Sequence, residues 1–264
     1  MPQADTAVQP ILEVRGLSRH FGGLVAVDRL DFAVRPGTVH GLIGPNGAGK
    51  TTTFNVISGY YAPTAGSVVY QGRDVSGMRT SALARLGLVR TFQGVTLFKE
   101  FSVIDNVRVG CHGAAGAGFL SRILGTDRDV EARLTERAEK LLEFFGLHEL
   151  RGEVAGNLSH GHARALGMAV AFAADPKLIL LDEPFTGMNP EETRTMMDLI
   201  RGVRDRGVTI MLVEHDMQAV MGLCDRITVL NFGRLLAEGA PHEIQNHTDV
   251  IEAYLGTSRD AAVH

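Results

Sequence analysis

The stretch GPNGAGKTT, residues 44–52, decides the fold of this chain. It fits the pattern G-x-x-x-x-G-K-[ST], follows the strand-like run TVHGLI and precedes the helix-like run TTFNVISG, which is the context that a phosphate-binding loop requires. Its glycines let consecutive backbone N–H groups face the phosphates, and the N-terminus of the following helix adds positive potential. The pattern predicts that Lys50 reaches the β- and γ-phosphates and that the Thr51 hydroxyl ligates Mg²⁺.

Polar side chains follow two further strand-like runs. LILLDEP (178–184) places Asp182 and Glu183 at the end of an apolar run, and VEHD (213–216) places His215 just past another. Continuous apolar runs are typical of strands buried in a parallel sheet, and ligands gather at the carboxyl ends of such strands. We therefore predict an α/β fold in which Asp182 holds Mg²⁺ and Glu183 is the general base. The alternatives are a solvated acid pair and a solvated surface histidine.

Composition and charge exclude several classes of protein. The chain has 264 residues, of which 45% are hydrophobic and 21% charged, as in a globular protein. The net charge of −4 gives no overall basic surface for nucleic acid. Cys111 and Cys224 match neither a disulfide framework nor a zinc site and are interpreted as small apolar residues in a reducing cytosol. The longest apolar run, 165–174, is too short to span a bilayer, so we expect that the chain crosses no membrane by itself.

The rest of the pattern predicts the order of the elements. Short β-prone runs separated by Gly and Pro occupy 11–70. The Gly- and Ala-rich stretch 110–119 is interpreted as a loop or insertion. Apolar spacing and capping signals predict further helices. These lie at 80–88, at 129–146, in the apolar run that Ser159 caps and that ends before Pro176, and at about 191–206.

Six motifs in a fixed order resemble those of the ATP-binding cassette (ABC) ATPases. They are GPNGAGKTT, RTFQ (90–93), LSHGHAR (158–164), LILLDEP, GMNP (187–190) and EHD (214–216). The resemblance implies a P-loop NTPase (RecA-like) α/β core, an N-terminal antiparallel β subdomain and an inserted α-helical subdomain. The implied boundaries are tails at 1–10 and 256–264, an ABC domain at 11–255, core and β subdomain at 11–93 and 166–255, and the helical subdomain at 94–165.

The resemblance also implies the ligands ATP and Mg²⁺ and a role for each motif residue. The phosphates and the metal would be held by the loop residues Gly44, Pro45, Asn46, Gly47, Ala48, Gly49, Lys50, Thr51 and Thr52. Asp182 and Gln93 would serve the metal, Gln93 would also approach the attacking water, Glu183 would be the base and His215 would contact the γ-phosphate. Ser159 and Gly161 would complete the site of a second subunit in a head-to-tail dimer. Phe21 stands where the family stacks adenine, although by itself it would be interpreted as a core residue.

One motif departs from the family pattern. Where the family usually has Gly, Gln and Gln, this chain has His160, His162 and Ala163. Because Ser159 and Gly161 remain, we expect activity to survive. We also hypothesise that His162, one residue past Gly161, adds pH sensitivity to the ATPase rate if it is close to the nucleotide of the second subunit, because histidine is the side chain that serves as a switch at physiological pH. A His162→Gln variant with the pH–rate profile of the parent would contradict this hypothesis.

A closer likeness is to the branched-chain amino-acid uptake branch of the family. It rests on RHFGGLVAVD (19–28), FNVISGYYAPTAG (54–66), VRTFQGVTLF (89–98), EPFTGMNPEE (183–192) and DVIEAYLG (249–256). The resemblance implies a cytoplasmic subunit, peripheral on the inner face of the membrane. Its partners would be membrane-spanning permease subunits, an identical or paralogous second ATPase and, indirectly, a periplasmic or extracellular binding protein, with no nucleic acid.

Several alternatives remain open at this point. The cargo of a relative in this branch can be urea, an amide or an aromatic acid, and lipopolysaccharide export uses a similar ATPase. A non-transport ABC ATPase, a non-hydrolysing scaffold and a small-molecule kinase are the other classes. Leu97 and Phe98 are candidates for the permease contact or, equally, for the interior of the helical subdomain.

Overall fold

The structure is a computed structural model that describes residues 9–91, 97–114 and 128–260. The chain divides into two compact units: the first comprises 1–83 and 204–264, and the second comprises 84–203. The strands are β1 (Leu12–Phe21), β2 (Leu24–Val34), β3 (Val39–Ile43), β4 (Ala65–Tyr70), β5 (Arg73–Asp74), β6 (Leu88–Thr91), β7 (Leu178–Asp182), β8 (Thr209–Val213), β9 (Arg226–Asn231) and β10 (Arg234–Gly239). The α-helices are α1 (Lys50–Ile57), α2 (Thr80–Arg85), α3 (Val103–Ala114), α4 (Arg128–Phe144), α5 (His160–Ala173), α6 (Pro190–Arg204), α7 (Met217–Leu223), α8 (Pro241–Gln245) and α9 (Thr248–Asp260).

The first unit contains an antiparallel sheet of order β2-β1-β4-β5. Alternating apolar residues of β1, such as Leu12 and Val14, are buried, which is the pattern of a sheet with one face in the core. This confirms the antiparallel β subdomain that the sequence predicts. The same unit contains the ladder β10-β9-β3-β8, in which β3 runs parallel to both of its neighbours. Every residue of β3 and of β8 is buried, and the continuous apolar run 208–213 predicts this for β8.

His40 is a buried polar residue within this parallel ladder. Its Nε2 atom lies 2.8 Å from the Thr228 hydroxyl on β9, so β3 and β9 are joined by a side-chain hydrogen bond as well as by their backbones. Burial lowers the pKa of His40 from 6.5 to about 3, with a smaller contribution from the positive charge of Arg226. The imidazole is therefore neutral in the folded protein across the physiological range.

We expect His40 to make the fold sensitive to acid. The unfolded chain binds a proton here below about pH 6.5 and the folded chain does not, so stability is lost as the pH falls towards 3. Between pH 7.5 and pH 5 this single group should lower the free energy of unfolding by about 2 kcal/mol. Urea titrations of the parent and of a His40→Gln variant measure the difference in slope. Parallel pH profiles for the two proteins would contradict the prediction.

The second unit combines the parallel pair β6 and β7 with the packed helices α3, α4 and α5. The stretch 110–119 was predicted to be a loop, and this prediction is wrong for 110–114, which continue α3; 115–119 lie outside the described residues. The reason is close helix packing: a Cβ atom at Gly110 would lie 2.6 Å from the Val170 carbonyl oxygen of α5. Small residues here let two helices approach each other.

The predicted helix at 80–88 also ends earlier than expected. Helix α2 stops at Arg85, Gly87 has φ +91° and Leu88 begins β6, where it pairs with Leu178 of β7. Gly87 terminates the helix because only a glycine adopts this backbone conformation without strain. The short apolar run after it is consequently a strand.

Both cysteines are buried, as expected for small apolar residues. Cys111 lies on α3 and Cys224 lies at the end of α7. Burial raises the pKa of both thiols. Within the described ranges, none of the helices has the length and apolar character that a bilayer crossing requires.

Candidate functional site

The phosphate-binding loop predicted at 44–52 connects the end of β3 to the start of α1. Gly44 and Gly49 have φ angles of +152° and +98°, where L side chains are strained. A Cβ atom at Gly44 would lie 2.2 Å from the carbonyl oxygen of Leu230, and one at Gly49 would lie 2.5 Å from that of Ala26. The loop is therefore wedged between backbone segments of its own unit, and its glycines are required by the fold.

The loop presents its functional side chains around the first turn of α1. Asn46, Gly47 and Thr51 are exposed, whereas Pro45 and Ala48 are buried. Lys50 Nζ donates hydrogen bonds to the carbonyl oxygens of Gly44, at 2.6 Å, and Pro45, at 2.9 Å. The lysine thus curls back over the loop, where these two carbonyl oxygens hold its ammonium group.

Gly49→Ala should destabilise the protein, because the loop lies against the backbone at Ala26. The left-handed backbone alone costs an L residue about 1–2 kcal/mol, and the contact with the Ala26 carbonyl oxygen adds to it. Gly47→Ala is the matched control, because Gly47 has φ +78° but nothing within 4 Å of its Cβ position. We expect the larger loss of unfolding free energy for Gly49→Ala in urea titrations. Equal losses would show that the contact is relieved without cost.

His215 follows β8 and lies next to the loop in the sheet, because β8 pairs in parallel with β3 and Leu42 is opposite Val213. Its side chain is 62% exposed, and its backbone N–H donates to the Glu214 carboxylate at 2.9 Å. Glu214 is 1% exposed and shapes this turn, while Asp216 accepts the Ala219 N–H and caps α7. With Glu214 buried and Asp216 capping α7, the imidazole of His215 stays at the surface. Sequence reasoning missed the roles of Glu214 and Asp216, although an Asp before a helix is a capping signal.

Phe21 ends β1 and is not a core residue. Its side chain is 37% exposed and lies edge-on to Tyr61, with ring centroids 5.2 Å apart. The Arg19 guanidinium lies 4.5 Å from the centre of the Phe21 ring and covers one of its faces. Stacking of an adenine on Phe21 stays a prediction.

In the second unit, Asp182 ends β7 and forms a buried ion pair with Arg90. Arg90 Nη2 lies 2.6 Å from Asp182 Oδ2, and the two side chains are only 4% and 8% exposed. The parallel register that pairs Arg90 with Leu180 places the guanidinium beside the end of β7. Sequence reasoning predicted that Asp182 holds Mg²⁺ and did not identify Arg90 as its partner.

Glu183 follows Asp182 and is half-buried. Its backbone has φ +47°, in the left-handed region that residues other than Gly, Asn and Asp rarely adopt. Its carboxylate accepts a hydrogen bond from the Thr186 hydroxyl at 3.3 Å. The structure therefore places the two predicted acids side by side but in different settings, one paired inside the unit and one on a turn.

The segment LSHGHAR opens α5 as predicted. Ser159 Oγ accepts the backbone N–H of His162 at 3.3 Å, which makes Ser159 the N-cap. This contact uses the backbone N–H of His162, and the His162 side chain is exposed. The effect of His162 on the pH dependence of the ATPase rate stays a prediction. A Cβ atom at Gly161 would lie 3.2 Å from Glu192 Oε1, so the glycine lets α5 approach the start of α6.

The predicted GMNP turn leads into α6. Asn189 accepts the backbone N–H groups of Glu191 and Glu192, while the Glu192 carboxylate accepts the N–H of Asn189 at 3.0 Å, a reciprocal cap. A pocket of about 320 Å³ lies between the starts of α5 and α6 and is lined by Ser159, Gly161, His162, Asn189 and Glu192 among others. Two predicted motifs thus border one pocket.

The other predicted residues are placed only in part. Gln93 lies outside the described residues. Leu97 is half-buried, and Phe98 is 47% exposed with its ring stacked on Phe101 at 5.3 Å between centroids. Neither side chain is fully buried in the interior of the unit, and their role in a permease contact stays a prediction.

Comparison with known proteins identifies the family. The family model described as ABC transporter matches residues 27–186, which is more than half of the chain. The chain belongs to the ABC transporter family. A second family model, described as branched-chain amino acid ATP-binding cassette transporter, matches residues 234–260, which comprise β10, α8 and α9. The ABC family accounts for the ATP-binding loop and identifies the chain as an ATPase domain that binds ATP.

Relatives and solved structures of ABC proteins match almost the full length of the chain. It is 45% identical to the high-affinity branched-chain amino acid transport ATP-binding protein LivG of Salmonella typhimurium over 94% of this chain and 98% of that protein. LivG of Escherichia coli is 44% identical over the same shares of the two chains. The crystal structure of a nucleotide-free ATP-binding cassette from an ABC transporter superposes with a TM-score of 0.82 at 31% identity and covers 93% of this chain and 99% of that one. These likenesses confirm the P-loop NTPase fold.

Proposed function

We propose that this chain hydrolyses ATP to drive an importer of branched-chain amino acids. The observation that carries the proposal is the 45% identity to LivG over 94% of the chain, which extends through the C-terminal segment 234–260 that a branched-chain model matches. The proposed partners are permease subunits, a second ABC subunit in a head-to-tail dimer and, indirectly, an external binding protein. The chain would then lie on the cytoplasmic face of the membrane.

The residues of the first unit fit a role in binding the nucleotide. Backbone N–H groups of the exposed loop residues Asn46 and Gly47 and the charge of Lys50 suit the phosphates, and Lys50 would exchange the carbonyls of Gly44 and Pro45 for phosphate oxygens. The exposed Phe21 would stack on the base, and the exposed His215 would contact the γ-phosphate. Each of these side chains is accessible in the structure, which is what a ligand contact requires.

The proposed metal is Mg²⁺, because each side chain assigned to it carries an oxygen ligand of the kind that this ion prefers. The hydroxyl of Thr51 and the carboxylate of Asp182 are hard oxygen ligands, and Gln93 adds an amide oxygen. Mg²⁺ in nucleotide enzymes is held by one or two carboxylates together with phosphates and water. When bound, the ion would neutralise charge on the phosphates.

The proposed hydrolysis is an in-line attack of water on the γ-phosphate. Such reactions are accelerated mainly by positioning and by stabilisation of charge. Glu183 would accept the proton of the attacking water, and its half-buried carboxylate next to the Thr186 hydroxyl is oriented by the turn on which it lies. Ser159 and Gly161, at the open N-terminus of α5, would face the nucleotide of the second subunit.

Uptake of labelled leucine, isoleucine and valine tests the proposal, with urea measured in parallel. Cells carry Glu183→Gln in place of the native chain, and Glu136→Gln, at a surface pair with Lys140, is the control. We expect uptake of all three amino acids to collapse in Glu183→Gln, while urea uptake and the control are unchanged. Unchanged amino-acid uptake, with ATP still hydrolysed by the purified parent, would refute the cargo. A loss of urea uptake would then favour urea, and unchanged urea uptake would favour amides, aromatic acids or lipopolysaccharide.

A further inference from the structure

The backbone of Glu183 needs an explanation, since it is strained at a residue of the proposed site. Its φ angle of +47° lies in the left-handed region, which an L residue adopts only with strain. A residue stays in such a conformation only where its surroundings enforce it, and strain of this kind concentrates at functional sites. The contacts of the turn 183–186 identify what enforces it.

Arg164 holds both ends of this turn. Its Nη1 donates to the carbonyl oxygen of Glu183 at 2.7 Å, and its Nη2 donates to that of Thr186 at 2.9 Å. The planar guanidinium offers its donors in a fixed fork, so it fixes the two carbonyls relative to each other. Thr186 closes the turn through its N–H to the Glu183 carbonyl oxygen and through its hydroxyl to the Glu183 carboxylate, each at 3.3 Å. The hydrogen bonds of Arg164 and Thr186 thus hold both the left-handed backbone of Glu183 and the orientation of its carboxylate.

Arg164 belongs to the first turns of α5, the helix that Ser159 caps. Residues farther along this helix, among them Leu166 and Ala169, are fully buried, so α5 is embedded in its unit. A close-packed helix moves as a body, because interiors have few voids to absorb local shifts. Any displacement of the N-terminus of α5 is therefore transmitted through Arg164 to the turn that bears Glu183.

We propose that Arg164 is a positioning residue that holds Glu183 in its strained conformation and couples the setting of this carboxylate to the N-terminus of α5. The inference rests on the proposed role of Glu183 as general base. Arg164 acts through Glu183, so its loss lowers the rate of the chemical step and leaves nucleotide binding intact. Engagement of Ser159 and Gly161 by a nucleotide would then be communicated to the base within the same chain.

Steady-state ATPase measurements on the purified full-length chain test the proposal. Arg164→Met keeps an unbranched apolar stem and removes all donors, and it is expected to lower kcat at least tenfold with less than a twofold change in KM for ATP. Arg164→Lys keeps the charge but cannot bridge both carbonyls, so an intermediate kcat is expected. Arg201→Met, at an arginine paired with Asp198 on α6, is the control and should keep the kcat of the parent.

The decisive readout is the combination with Glu183→Gln. If Arg164 acts through Glu183, Arg164→Met adds less than a twofold loss in the Glu183→Gln background, because coupled residues are not additive. A full tenfold loss in that background, or a parental kcat for Arg164→Lys and Arg164→Met, overturns the inference. Should Arg164→Met not fold, the same comparison is made with Arg164→Lys. A Glu183→Gln variant that keeps the parental rate instead refutes the role of Glu183 itself.

Discussion

Replacement of Glu183 by Gln is expected to lower kcat of ATP hydrolysis by about 10²–10⁴-fold, the usual contribution of a general base. The amide has the same shape and can still accept the Thr186 hydroxyl, so the turn is preserved. It cannot take a proton from the attacking water. Affinity for ATP should change little, because the proposed phosphate-binding groups lie in the loop 44–52. Phosphate release and binding of a fluorescent ATP analogue measure the two quantities.

Glu136→Gln provides the control for this measurement. Glu136 pairs with Lys140 one helical turn later on the exposed surface of α4, and such pairs contribute only a few tenths of a kcal/mol. The ATPase rate of Glu136→Gln should equal that of the parent. A Glu183→Gln rate within threefold of the parent would mean that another group serves as the base or that none is needed.

Arg90→Met is expected to destabilise the protein by about 3–5 kcal/mol, as is usual when one partner of a buried ion pair is removed. The Asp182 carboxylate, 8% exposed, would remain inside the unit without its counter-charge. Urea titration measures the loss. Arg201→Met is the surface control: Arg201 and Asp198 form an exposed pair, and loss of such a pair costs about 1 kcal/mol or less.

A double variant separates ion-pair loss from poor packing. Arg90→Met with Asp182→Leu removes both charges of the pair, so much of the lost stability should return. ATP hydrolysis should not return, because Asp182 is the proposed metal ligand. A single variant that loses no more stability than Arg201→Met, or a double variant no more stable than the single one, would contradict this account of the pair.

The sequence predicted those parts of the fold that depend on local patterns. Apolar runs located β7 and β8, the strand-like run before the loop located β3, and the loop 44–52 with its flanking elements indicated the α/β class. The cap at Ser159 followed from a capping residue before an apolar run. In each of these cases the residues that determine the structure are neighbours along the chain, so a short window of sequence contains the whole signal.

What the sequence did not predict depends on contacts between distant segments. Arg90 meets Asp182 only through the register of β6 on β7, and Arg164 meets Glu183 only through the packing of α5. Gly110 was interpreted as a loop residue because its partner, the Val170 carbonyl, is 60 residues away and glycine is a common loop signal. Both supporting arginines were therefore missed, whereas the acids that they hold were found.

The burial of both native thiols has a practical consequence for spectroscopy. Only a thiolate reacts readily with maleimides and methanethiosulfonates, and burial at Cys111 and Cys224 both raises the thiol pKa and blocks access. A cysteine introduced at an exposed position such as Asp198 or Glu136 would therefore be modified selectively in the otherwise native chain. Paired spin labels or fluorophores can then follow distances inside the second unit during turnover, without a cysteine-free background.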